Sequence, residues 1–292
     1  MSTTKLLILA AIAGFSIFLG LPIGRLRKPA PRIKAFLNAA ATGVLVFLLW
    51  DVLGAGWEPI EDVLGQAQDG SASWARFTGL ALVFSACLVV GLMSLVYYDR
   101  WMGRQARRGG ASSMRQSFGP GAVAVEDLAA ARPVQGIMAL SDARRLALCI
   151  AVGIGLHNFS EGLAIGQSAA KGEISLAIAL IVGFGLHNAT EGFGICAPLA
   201  GEAARPSWRF LLLLGVIGGG PTFLGTIVGN SVVNTFLFVG FLALAAGSIL
   251  YVIVMLLRVA EKLGHTELMM WGLLVGLAAG FGTDLVLVAA GA

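Results

Sequence analysis

The chain has 292 residues, of which 57% are hydrophobic and 12% charged, about half the charged share of an ordinary soluble domain. That balance excludes a soluble enzyme and makes length a measure of how many membrane spans fit. The net charge of +4 sits in short segments beside apolar runs rather than on one basic face, so the expected partner is the lipid bilayer and no nucleic acid.

Taken in order, eight apolar runs are long enough to cross about 30 Å of hydrocarbon as helix. They lie near 5–22, 34–53, 75–98, 145–169, 174–199, 209–229, 232–257 and 268–290. The first is followed by Arg25, Arg27 and Lys28 without a small-residue cleavage site, the pattern of a retained span. Glycine occupies 40 positions, roughly twice its usual share of about 7%, as suits helices that must approach closely in lipid. Cys87, Cys149 and Cys196 fall inside apolar runs without metal-type spacing and read as small buried hydrophobes.

Lysine and arginine are retained on the cytoplasmic side, and 17 of the 20 fall in the loops after spans 1, 3, 5 and 7. The loop after span 2 is acidic, with Glu58, Glu61, Asp62 and Asp69. The fold class expected is therefore an all-α integral membrane protein with eight transmembrane helices and both termini outside, a multi-pass protein of the cell inner (plasma) membrane. Residues 1–98 hold spans 1–3 and residues 145–292 hold spans 4–8. Between them, 99–144 is rich in Arg, Gly, Ser and Ala, lacks apolar periodicity, and reads as a mobile cytoplasmic loop that sets topology.

Spans 4 and 5 contain an internal repeat. VGIGLHNFSEGLAIG (Val152 to Gly166) and VGFGLHNATEGFGIC (Val182 to Cys196) agree at nine of fifteen positions across an offset of thirty. The copied polar core places His157, Asn158 and Glu161 on one helix and His187, Asn188 and Glu191 on the next. At about 100° per residue, His and Glu four apart share a face, with Asn at its flank. A metal site between helices 4 and 5 near the midplane follows.

A carboxylate at the bilayer centre costs about 2.5 kcal/mol or more, so two of them need a reason. Interhelical hydrogen bonding is the ordinary use of polar groups in such bundles, but a duplicated His/Glu pair suits a divalent cation. Two carboxylates neutralise its charge and two imidazoles complete four ligands. Cys196 stands nine residues after His187, about 180° around the helix, which leaves a nitrogen and oxygen set. That set takes Zn²⁺, Fe²⁺, Mn²⁺, Co²⁺ or Cd²⁺ as transported ion rather than Cu⁺ or Mg²⁺. No catalytic residue and no bound cofactor are expected. Asp51 near the outer end of span 2 and Asp284 in the outer half of span 8 are candidate acids for an external mouth. His265, with Glu261 and Glu267, reads as solvated.

Eight spans, outward termini, a long loop after span 3 and consecutive helices carrying HNFSEG and HNATEG resemble the ZIP family of metal-ion transporters, in a prokaryotic member. The resemblance implies that the six motif residues bind zinc or a related ion during uptake toward the cytoplasm. The family's usual motif has proline where Ser160 and Thr190 stand, so milder helix breaks are expected, a hydroxyl bonding back to the preceding turn. Many members place a glutamate before the proline of span 6. Gly220 before Pro221 stands there instead and speaks against a two-metal centre.

Alternating access about a midplane site is the expected mechanism; the resemblance implies an elevator-like form of it. An empty site is expected to hold at least one proton on Glu161 or Glu191, so affinity should rise with pH. Two alternatives stay open. One is an intramembrane metal-dependent hydrolase holding an activated water, although no His-Glu-x-x-His pattern is present. The other is a metal-binding membrane sensor without transport. Gly272, Gly276 and Gly280 make span 8 a close-packing helix whose neighbour is either this chain or the second copy of a homodimer.

Overall fold

The computed structural model describes residues 2–25, 31–117, 140–172, 174–199, 202, 204–232 and 234–289. Among these there is helix and no strand: α1 (Thr3–Phe15), α2 (Pro31–Gln68), α3 (Trp74–Ser117), α4 (Asp142–Ala170), α5 (Ile174–Cys196), α6 (Trp208–Ser231), α7 (Thr235–Leu263) and α8 (Thr266–Ala289). Seven stretches are long and apolar enough to cross a membrane among the described residues, from Thr3–Arg25 through Thr266–Leu285. The helix outside that set is α5, several of whose side chains are not described.

Local chemistry accounts for the helix ends. Ser2, Ser141 and Ser207 each accept a hydrogen bond from the backbone N–H three residues on, and Asn234 accepts two, from Phe236 and Leu237. These satisfy N–H groups that have no partner inside a helix. The reversals from α4 to α5 and from α7 to α8 turn on Gly172 (φ 83°) and Gly264 (φ 71°), a left-handed region that side chains disfavour.

Several expected boundaries shift. The first run is α-helical only to Phe15 and then tightens into 3₁₀ turns over Ser16–Leu19 and Leu21–Arg25. Ser16 Oγ donates to Ala13 O at 2.7 Å and lies 2.6 Å from Gly185 O on α5, drawing the chain out of its α-helical path. Helix α2 continues past 53 to Gln68, so Glu58, Glu61 and Asp62 stand on helix rather than in a loop. Trp57 Nε1 donating to Glu61 Oε1 at 2.9 Å is a one-turn pair of the kind that supports such an extension. The segment expected as loop from 99 is helical to Ser117, and α4 starts at Asp142. Ala, Arg, Gln and Met over 101–117 are good helix formers and no proline interrupts them. Residues 118–139 of that connection lie outside the described residues.

The helices pack as two layers of close backbone contact. In one, α4 lies along α6 while α1 crosses α5 and α6. In the other, α2 lies along α7 and α8, and α3 lies along α7. A side chain at Gly162 would strike the Thr222 carbonyl of α6, and one at Gly276 the Ala40 carbonyl of α2. Between the layers, Gly153 of α4 faces Ser248 and Val252 of α7, where an added Cβ would meet their side chains at an ordinary contact distance of 3.5 Å. The neighbour of the glycine face of α8 is thus α2 of the same chain, and that face offers no seam for a homodimer. Of the seven spans α4 is the most enclosed, with 78% of its span window buried against 17% for α8. The repeat's first copy therefore sits at the centre of the protein.

Candidate metal centre

His157, Asn158 and Glu161 project from α4 with less than 5% of their surface exposed, and Asn188 and Glu191 of α5 are as deeply buried. His157 Nε2 lies 3.1 Å from Glu161 Oε1, the one-turn pair that the spacing implies, and 3.8 Å from Glu191 Oε1 across the helix interface. Asn158 Nδ2 donates to Glu191 Oε2 at 3.0 Å and to Gly218 O of α6 at 3.0 Å. One carboxamide therefore ties three helices together at the depth of both acids. Asn188 Nδ2 donates to Ala13 O at 2.9 Å, fixing α5 to α1. The backbone of His187 belongs to α5, but its side chain lies outside the described residues.

Oxygen supply exceeds donor supply here. Asn158 Oδ1, Asn188 Oδ1 and Glu161 Oε2 are buried and accept no hydrogen bond among the described residues. An unsatisfied buried polar atom costs about 1–3 kcal/mol. These three oxygens, one of them on Glu161, together with the Glu191 carboxylate beside them form an environment that a cation would relieve. Among the described residues, no three His, Cys, Asp or Glu side chains stand as a ready-made cluster around a vacant point. His157, Glu161 and Glu191 instead close on one another, so an ion would enter by replacing those mutual contacts.

The remaining candidates divide. Asp51 of α2 lies within electrostatic reach of His157, Glu161 and Asp284, so the two acids singled out for an external mouth sense each other's charge and one senses the motif. Cys196 is fully buried, its Sγ packed against Gly24 of the 3₁₀ turn, in keeping with its place on the far side of α5. Cys149 is buried but Cys87 is only partly so. His265 is half-buried and lines an open cavity with Arg32, Glu267 and Trp271.

Ser160 Oγ donates to Leu156 O at 3.3 Å, the back-bond expected where proline is absent, and α4 runs unbroken through the motif. Pro221 lies within α6 beside Gly155, while Gly220 has only Val216 near the position a side chain would take. Sequence reasoning missed the carbonyls of Gly218 and Ala13 that hold the two asparagines. The run Gly218–Gly219–Gly220 was a signal that α6 offers backbone rather than side chains to its neighbours.

No curated protein matches the chain. The family profile described as ZIP Zinc transporter matches residues 120–287, more than half of the chain and including both motif helices. The chain therefore belongs to the ZIP zinc transporter family, and is a multi-pass membrane transporter of metal ions rather than an enzyme.

Proposed function

We propose that this chain carries one divalent transition metal ion at a time, zinc foremost, toward the cytoplasm across the cell inner (plasma) membrane. The ligands are drawn from His157, Asn158, Glu161, His187, Asn188 and Glu191. The observation that carries this reading is the buried convergence of His157, Glu161 and Glu191 with surplus oxygens at Asn158, Asn188 and Glu161. With α5 as the eighth span and arginine-rich loops inside, both termini face outward. Asp51 and Asp284 form an acidic approach from the outer side. Reconstituted protein should accumulate radiolabelled zinc in liposomes with time; binding that stops at stoichiometry would leave a sensor instead.

The two layers support alternating access. Helices α4 and α6 are joined by close backbone contact, as at Gly162 and Gly225, whereas at Gly153 an added Cβ facing Ser248 and Val252 of α7 would meet only ordinary contact distances. A boundary with room for side chains is where sliding costs less, so in this reading the site travels with α1, α4, α5 and α6.

Two results test the ligand chemistry. Cd²⁺, Co²⁺, Fe²⁺ and Mn²⁺ should compete with zinc uptake while Mg²⁺ in large excess should not, because imidazole and carboxylate suit the former and magnesium keeps its water. Inhibition by Mg²⁺ at the potency of Cd²⁺ would contradict a His/Glu site. Zinc also takes imidazole as its neutral base and carboxylate as its anion, so bound protons must leave. Affinity should therefore rise with pH, and calorimetry in buffers of different ionisation enthalpy should register proton release. Binding heat independent of the buffer would rule that exchange out.

A further inference from the structure

We propose that the cavity between α3 and α7, where the membrane-crossing stretches of both helices end in arginine, binds the phosphate of an anionic phospholipid and the first carbons of its chains. The cavity measures about 240 Å³ and is lined by Leu92, Val96, Asp99 and Arg100 of α3 and by Tyr251, Val254, Met255 and Arg258 of α7. On each helix these positions follow a single face at spacings of three and four. Each face passes from apolar residues to an arginine at its end. The wall is therefore amphipathic along its length, apolar where acyl chains begin and cationic where a phosphate sits.

Charge complementarity selects the ligand. Two guanidinium groups face one carboxylate, and that carboxylate is engaged by Tyr251, a side chain only 7% exposed. Neither Arg100 nor Arg258 has a carboxylate at ion-pair distance among the described residues. Both therefore keep donors for phosphate oxygens, which guanidinium binds in a two-pronged geometry. The excess positive charge argues against a cation. The four aliphatic residues distinguish a lipid from free phosphate, which has no use for them.

The surroundings set the depth. Tyr97 is 61% and Trp101 51% exposed, and Tyr98 stacks with Trp101 at 6.2 Å. Aromatic residues of this kind gather at the level of lipid head groups. Basic recesses between helices on the positively charged side of a membrane protein are where anionic head groups dock.

The test is lipid titration of the full-length protein in detergent, reading bound lipid by native mass spectrometry. Phosphatidylglycerol should be retained and phosphatidylcholine should not. The Arg100→Gln/Arg258→Gln variant should bind phosphatidylglycerol about 30-fold more weakly, from about a factor of five to six per arginine at a charged surface. Arg104→Gln, on the same helix but outside the cavity, should bind as the native chain does. Val254→Trp, which fills the cavity from a residue already 41% exposed, should also lose the lipid and serves if the double variant does not fold. Equal retention of both lipids, full retention by Val254→Trp, or complete competition by millimolar inorganic phosphate would each overturn the proposal.

Discussion

Replacing both buried acids, as Glu161→Ala/Glu191→Ala, should abolish zinc uptake while leaving a folded membrane protein. In the proposed site each carboxylate would do two things: oppose the charge of the ion, and hold neighbours in place. Glu161 Oε1 is 3.1 Å from His157 Nε2, and Glu191 Oε2 accepts from Asn158. Changing a residue one step removed from a metal typically lowers affinity 10- to 100-fold. Losing two direct ligands should exceed about 100-fold, because a dication would then sit in the bundle without anionic compensation. The fold should survive, since removing both acids also removes the cost of burying them. Flux at the native rate in a correctly assembled double variant would remove the site altogether. Each single variant should fall between, with Glu191→Ala also releasing the Asn158 carboxamide.

Gly162→Val should lower the melting temperature in detergent and reduce zinc uptake together. A Cβ there meets the Thr222 carbonyl and comes within 2.8 Å of Thr226 N, all backbone of α6 that no rotamer change can move aside. Overpacking of a well-packed interior costs about 1–3 kcal/mol, and more when backbones must part. Separating α4 from α6 would also draw Asn158 from Gly218 O and so disturb the acid it orients. Gly220→Ala is the contrast: its added carbon meets nothing nearer than Val216 Cγ1 at 3.9 Å. That change should be neutral or stabilising by up to about 1 kcal/mol through helix propensity. Equal melting temperatures for the two variants would mean that α4 and α6 are not in backbone contact.

Much of the candidate site was legible because its information is local. A repeat of His, Asn and Glu at helical spacing places three groups on a face whatever the rest of the fold does, and the cost of a carboxylate in lipid supplies the reason to look. His157 with Glu161 is such a pair, and the hydroxyl of Ser160 bonding back to Leu156 is another consequence confined to one turn. The periodicity of apolar runs likewise announced the helices, since a span must be about 20 residues long in any membrane protein. Helix ends were less legible. The continuation of α2 to Gln68 is interrupted by Glu58, Glu61 and Asp62, yet Ile60, Val63 and Ala67 are buried along it, and no apolar run marks the continuation of α3 to Ser117.

Composition, hydropathy and the duplicated motif by themselves determined that the chain crosses a membrane as helices and carries paired acids within it, because those properties depend on residues close in sequence. Only the tertiary structure decided which oxygens lack partners, that Asn158 joins α4, α5 and α6, and that α8 packs on α2 of its own chain. These are contacts between residues far apart in the chain. In a bundle whose helices are all apolar, the choice of neighbour rests on the fit of small residues against backbone, and that fit has no one-dimensional signature.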